Sequence, residues 1–576
     1  MSVIVVGAGL AGLTAATELL ARRVDVIVLE ARGRVGGRTY GIEVAPGQWA
    51  DCGAAYLGDR HTELKTMIRT LGLATVATTM TGLSRFAFGD GPKSAAGRFP
   101  PLNGVALGEL FDLLYETATS VRTDAPWLTP DAERLDRLTV AEWLDQNNVH
   151  GDAQLFFPLF LGEMMAADPA DVSVLHMAFY LQSGGGIRYL NAFEGGAQAA
   201  RVDGGAHQLC EILAAKLGDR VLLNQPVRRV EQDGDRVSVR TDRAVHNAHA
   251  VVVAVPPLLA GAIEFCPALP VRRATAVTGR GCAIKVHLVY PRPLWRDHGL
   301  SGWSVSVDGP LQSTVDDSPA RGAGVLTGFV TGRQARAFAL LDDANRRATV
   351  LAQVRELFPG LPEPAGFHVT NWINEPYSRG CYASLFGPGD WLALGPHLSA
   401  PHGRVHWAGT EISTEFFGLM EGAIRSGRRA AAEITSLLAE RPRPVWSHHA
   451  CRIGRHRQRP ATRRRNVRPG RDLPESGHRH RRSRRGTCRC AHADHQDHGQ
   501  RQRHRARRLP VSAGRHHVFL RLRHPRRQAG AVGAHHIPAS RVCRRRTDRR
   551  SIRTQFLRPH RSLRRDRAPS RRDDDR

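Results

Sequence analysis

Residues 2–6, SVIVV, form an unbroken apolar run after Ser2. A run that short and that rich in β-branched residues reads as a strand buried on both faces. Leu10, Leu13, Ala16, Leu19 and Leu20 then recur at helical spacing, and residues 24–29, VDVIVL, read as a second strand that ends at Glu30. The pattern predicts strand, helix, strand. Further along, residues 156–165 and 174–181 carry helical patterns, and residues 221–240 read as two strands around Asp233-Gly234, a type I′ hairpin signal. Residues 251–255 make another buried strand, stopped by Pro256-Pro257. In residues 282–290, Ile284, Val286 and Leu288 alternate with Lys285, His287 and Val289, a strand pattern. From about residue 441 the apolar periodicity vanishes.

The turn between the first strand and helix carries chemistry. It reads G-A-G-L-A-G, with Gly7, Gly9 and Gly12 at the glycine positions and Ala11 between the last two. Gly7 permits the tight turn, Gly9 lets the backbone approach a pyrophosphate, and Gly12 lets helix and strand pack closely. The helix N-terminus then offers free N–H groups to phosphate. Glu30, followed by Ala31, stands at the end of the second strand, where a carboxylate can accept bonds from a ribose diol. Glycine turn, flanking strands and terminal acid together read as a dinucleotide site rather than a plain glycine-rich turn.

Composition divides the chain in two. Of 82 Lys+Arg and 54 Asp+Glu, residues 441–576 hold 42 Arg, no Lys and 9 acids. The preceding part therefore carries 40 basic and 45 acidic residues, a net −5, against +33 in the tail. A segment so poor in apolar residues cannot offset its ordering entropy, and the tail is expected to be disordered. Arginine without lysine matches a GC-rich gene read out of frame, so a frameshift is one origin. A genuine nucleic-acid-binding arm is the competing reading. No zinc-ligand spacing is present, since Cys488 and Cys490 stand as C-x-C, and no metal is expected. Five cysteines lie before residue 441 with no close pair, which suits a reducing, cytoplasmic compartment. No apolar run approaches the roughly 20 residues that span a bilayer, and the N-terminus enters the first strand without a secretory signal.

Several stretches resemble the FAD-dependent amine oxidase superfamily, closest in motifs to the monoamine oxidases. After Glu30 the chain reads A-R-G-R-V-G-G-R, and Gly37 and Arg38 fall where the family brings backbone and an arginine to the flavin. Residues 48–58, QWADCGAAYLG, resemble the loop that passes close to the flavin. Gln198 sits where related oxidases place a glutamine facing the substrate, and Val227 where a valine meets the adenine. Lys285 occupies the place of the lysine that holds a water beside the flavin N5. The segment 371–382, NWINEPYSRGCY, resembles the flavin-proximal stretch. There Trp372 packs near the flavin, Cys381 falls where monoamine oxidases attach FAD through a thioether, and Tyr382 is one wall of an aromatic sandwich. Gly409, Thr410, Glu411 and Met420 match the C-terminal flavin-binding segment. The usual second tyrosine of the sandwich is replaced by Leu419.

The resemblance implies an α/β protein, α+β overall, with a Rossmann-type FAD-binding domain (1–81, 201–285, 390–440) interleaved with a sheet-and-helix substrate domain (82–200, 286–389). It implies a flavin-dependent oxidase that removes a hydride from the carbon next to an amine, with FAD, covalent or not at Cys381, and a small amine and O₂ as partners. Lys285 and Tyr382 would act in catalysis, and Gln198, Leu419 and Trp372 would line the substrate pocket. Met164, Met165 and Phe157 read as core rather than pocket. No membrane anchor and no specific nucleic acid are expected, and a homodimer is the assembly considered. A desaturase or oxidase of a non-amine substrate is the alternative within the fold, to which Leu419 lends weight.

Overall fold

A computed structural model of the chain describes residues 1–270, 273 and 279–439. The 441–576 tail, with the expectation of disorder placed on it, lies outside the described residues.

Ser2–Val6 is the middle strand of a five-stranded parallel sheet in the order Val221–Leu222, Asp25–Leu29, Ser2–Val6, Ala250–Val253, Val405–Trp407. Alternate residues of the central strand serve two cores, as a doubly covered parallel strand must. Val3 and Val5 pack with the helices Leu10–Ala21 and Met420–Ala439. Ile4 and Val6 belong to a second cluster with Val230, Val237 and Val239, which come from a four-stranded sheet. The two helices approach so closely that a Cβ on Gly427 would lie 2.4 Å from the Ala11 carbonyl oxygen.

The second layer is a seven-stranded sheet in the order Gly366–Asn371, Ala283–Tyr290, Gly324–Thr331, Ser313–Asp316, Leu300–Ser306, Leu83–Ala87, Pro92–Ala96. Ala283–Tyr290 has antiparallel neighbours on both sides and is buried along its whole length. Ile284, Val286 and Leu288 face a cluster with Phe338, Val350 and Val354, from the helices Gly332–Ala339 and Asp343–Leu357. Helices Gly151–Met165 and Val174–Ser183 hold the aromatic core of the remaining layer. Among the described residues no helix is long and apolar enough to cross a membrane.

Three expectations change. The 221–240 segment contains three strands, because Val221–Leu222 pairs in the parallel sheet while Val227–Asp233 and Arg236–Thr241 form the hairpin. The turn is Gly234-Asp235, with positive φ at Gly234 (56°) and not at Asp235, whereas type I′ needs it at both. The chain also changes layers at other points than the motifs indicated. The chain, which first joins the seven-stranded sheet at Leu83, returns to it at Ala283 rather than after residue 285. The helix Asp390–Leu398 packs Trp391 on Phe179 and Phe386, with ring centroids 4.7 Å apart in each case, so the chain rejoins the parallel sheet only at Val405.

Candidate active site

The helix Leu10–Ala21 starts at Gly9 without a side-chain cap and without an acidic residue in its first turn. Its first N–H groups have no intrahelical partner. They open on a cavity of about 360 Å³ whose wall includes Gly7, Gly9, Leu10 and Ala11. Gly12 stands behind that wall, where a Cβ would lie 2.0 Å from the Gly7 carbonyl oxygen. Only glycine there lets the turn close over the helix end. Glu30 lines the same cavity with Ala31. Its Oε2 accepts from the N–H of Ala8 at 2.8 Å, and its Oε1 from the N–H of Arg32 at 3.0 Å and from Arg32 Nη1 at 3.3 Å, which leaves Oε2 a lone pair for a further donor. An uncapped helix end and a fixed acid at this spacing fit a dinucleotide. Val227 lies on the wall near Gln225 and Pro226.

At the other end, two buried ionic groups are held by backbone. The Lys285 ammonium, 4% exposed, donates to the carbonyls of Asp51 at 2.9 Å and Gly53 at 2.8 Å. An ammonium has three donors, so one remains for a partner in the cavity. Arg38 donates to both Glu411 oxygens, at 2.5 and 3.0 Å, and to the Tyr382 carbonyl at 2.8 Å. Burial alone would raise the Glu411 carboxyl, but the Arg38 guanidinium outweighs it and holds the group below the usual carboxylate range. The loop expected beside a flavin is pinned twice, by Lys285 and by Trp372, whose indole N–H donates to the Cys52 carbonyl at 2.8 Å.

Cys381 and Tyr382, joined by a cis peptide, both reach the cavity. Burial pushes the Cys381 thiol up to about 11 and the Tyr382 phenol well above its ordinary value. The phenol is therefore a neutral wall and no base at neutral pH. Gln198, Leu419, Gly37, Gly409, Thr410 and Met420 also line the cavity. Trp372 does not: it is buried behind Cys381, in a cluster with Ala283 and Ala166. Glu411 acts from behind the wall as well, through Arg38. Met164 reaches the cavity, whereas Met165 and Phe157 are core.

Sequence reading missed several participants. Arg32 lines the cavity and bonds Glu375, with Nη2 also donating to Ser378 Oγ at 2.9 Å, which ties the 371–382 segment to the turn after Glu30. Tyr180 stands beside the position of the missing sandwich tyrosine. Its Cε2 would lie 3.1 Å from a Cβ on Gly418, next to Leu419, and its hydroxyl donates to the Met164 carbonyl at 2.7 Å. Glu163 brings a carboxyl to the same cavity, pushed up to about 7 by burial, with Arg98 partly offsetting. No local signal marked Tyr180 or Glu163, since both sit in apolar helices. Among the described residues no cluster could hold a metal ion.

This arrangement has close parallels. The family described as flavin containing amine oxidoreductase matches residues 10–435. AofH of Mycobacterium tuberculosis, named as a flavin-containing monoamine oxidase, is 36% identical over 445 residues, 76% of this chain and 97% of that protein. Amine oxidase [flavin-containing] B of Sus scrofa is 34% identical over 465 residues, 77% of this chain and 88% of that protein. Putrescine oxidase bound to putrescine superposes with a TM-score of 0.71 at 32% identity, covering 76% of this chain and 99% of that one. Cyclohexylamine oxidase from Brevibacterium oxydans gives 0.72 at 32% identity with the same coverage. These relatives favour neither a non-amine substrate nor nucleic-acid binding. The chain belongs to the flavin-containing amine oxidoreductases: its cofactor is FAD and its reaction is the oxidation of an amine.

Proposed function

We propose that the enzyme is an oxidase of small primary amines, that its amine lies between Lys285 and Tyr382, and that it works in the cytoplasm. The observation that carries the reading is continuity: one cavity joins the uncapped helix at Gly9 to Lys285, Cys381 and Tyr382. When bound, FAD would supply the acceptor for a hydride from the carbon next to the nitrogen, O₂ would take up the two electrons with two protons as H₂O₂, and water would release aldehyde and ammonia. Everything else falls to the chain. Gly7, Gly9 and Ala11 hold the pyrophosphate, Glu30 the ribose and Val227 the adenine. Lys285 spends two N–H bonds on backbone and keeps the third for a water. Tyr382, kept protonated by burial, orients a neutral amine. Gln198 and Leu419 close the pocket. All five described cysteines are free, as in a reducing compartment. The test is the absorbance spectrum of the purified protein with peroxide release across a panel of amines. A yellow protein releasing peroxide with primary amines is expected. A colourless protein that FAD cannot reconstitute would sink the reading.

Cys381 is the proposed point of covalent attachment. Its thiol is on the cavity wall, 5% exposed, with Arg38 and Lys285 as the charges that favour its thiolate. A redesign of cofactor binding in putrescine oxidase likewise exchanges an alanine for cysteine. Acid precipitation should leave the yellow colour in the pellet, and Cys381→Ala should move it to the supernatant. Wild-type flavin found in the supernatant makes Cys381 a bystander.

A further inference from the structure

We infer that Glu163 receives a second cationic group, at the end of the substrate remote from the bond being oxidised, so that the preferred substrates are α,ω-diamines or longer polyamines. This rests on the amine-oxidase reading and narrows it.

Glu163 lies near the C-terminal end of the helix Gly151–Met165 and shares the cavity wall with Tyr180, Lys285 and Tyr382. It is half-buried, and it also borders a smaller pocket with Arg98, Gln312 and Ser313. Among the described residues its carboxylate has no hydrogen-bond or ion-pair partner. A carboxylate taken from water without one is costly to keep charged. The cation that most influences it, Arg98, makes no bond to it, although Arg98 Nη1 is itself buried without a partner among the described residues. Its Nη2 donates to Asn191 Oδ1 at 3.1 Å, and its guanidinium lies 5.2 Å from the Phe193 ring centroid and 5.7 Å from that of Trp303. The cavity wall also carries the apolar and aromatic side chains of Leu190, Phe193, Val315 and Phe329. An apolar slot with one unpartnered carboxylate fits a methylene chain that ends in an ammonium group. The ammonium would restore the bonds the carboxylate lacks and favour its charged form.

The titratable and charged groups around Glu163 are Arg98, Tyr382, Tyr180 and Lys285, and burial keeps both phenols neutral near pH 7. Selectivity therefore follows the ionisation of Glu163. Its carboxyl is charged above its own pKa, so preference for a diamine is gained as pH rises through about 7 and lost below it.

The experiment compares kcat/KM for an alkyl monoamine and an α,ω-diamine of equal chain length, between pH 6 and 8. The wild type should favour the diamine by about 100-fold at pH 8. In Glu163→Gln the ratio should fall near one, mainly through KM, and lose its pH dependence. Glu163→Asp, which keeps the charge, should restore part of it. Equal kcat/KM for the two amines in the wild type, or a preference that survives Glu163→Gln, overturns the proposal. Binding of an alkyl diguanidine against its monoguanidine, read from the flavin spectrum without turnover, provides an independent arm. Equal affinity for wild type overturns the assignment of Glu163 even if amine turnover is found. Tighter diguanidine binding with no amine oxidised would instead fault the oxidase reading and leave Glu163 as the cation site.

Discussion

Replacing Lys285 with Met is expected to slow the flavin half-reactions by about 10²–10³-fold while FAD stays bound, the scale of losing one preorganised donor at a reacting centre. Lys285 is nearly fully buried in the middle of a strand, and two of its three donors are fixed by the carbonyls of Asp51 and Gly53. Such an ammonium cannot reorganise, so its third N–H points the same way in every turnover. Methionine keeps the length of the side chain and removes both the charge and the donors. The two carbonyls are left unsatisfied, which should cost about 1–3 kcal/mol of stability besides. Anaerobic reduction by amine and reoxidation by O₂, followed separately by stopped-flow absorbance, locate the loss. Wild-type rates in both, with normal FAD content, would show that the lysine only braces the 51–53 strip.

Glu411→Ala should destabilise the protein by about 3–5 kcal/mol and release FAD, because it leaves the Arg38 guanidinium inside without its bidentate acceptor. The double replacement Arg38→Met with Glu411→Leu should unfold later than Glu411→Ala, since an apolar pair leaves no uncompensated charge. The pair also sets an acid limit. The folded Glu411 carboxyl titrates below its unfolded value, so its contribution is fully present above the unfolded pKa of about 4.3 and is lost as pH falls through the lower folded value. Thermal melts between pH 3 and 7 should therefore show a loss of stability below about pH 4 in the wild type that Glu411→Ala lacks. Equal melting temperatures for wild type and Glu411→Ala at pH 7 would count against the pair.

Features written into consecutive residues were legible. Gly7 to Glu30 needs only a turn, a helix end and a strand end, all local. Lys285, Cys381 and Tyr382 were singled out by the resemblance of their short stretches to the amine oxidase family, and all three lie on the cavity wall. What escaped depends on where distant segments meet. Tyr180 and Glu163 look like ordinary members of apolar helices until the seven-stranded sheet closes over them. Trp372 lies one step out of the cavity because its indole N–H is taken by Cys52. The alternation in 283–290 is that of a strand with one polar face, yet every residue is buried: Ile284, Val286 and Leu288 meet helices, and Lys285 reaches the cavity. The hairpin at Gly234 shows how little separates two turn types: the glycine was found, but its place in the turn follows from the Asp233–Arg236 pairing.

The strand order of the parallel sheet has a consequence for biosynthesis. The glycine turn at the start of the chain is backed by Ala250–Val253 and Val405–Trp407, and by the helix Met420–Ala439. Those partners emerge hundreds of residues after Gly7, and pairing across such separations is slow. A nascent chain thus displays its first βα unit long before anything covers it, with Val3, Val5 and Leu13 as exposed apolar surface. The cofactor cradle is completed by almost the last of the described residues, so FAD capture is expected to follow synthesis of the chain through residue 439. During that interval the waiting sheet edge is open to pairing with neighbouring chains, the hazard that chaperones limit.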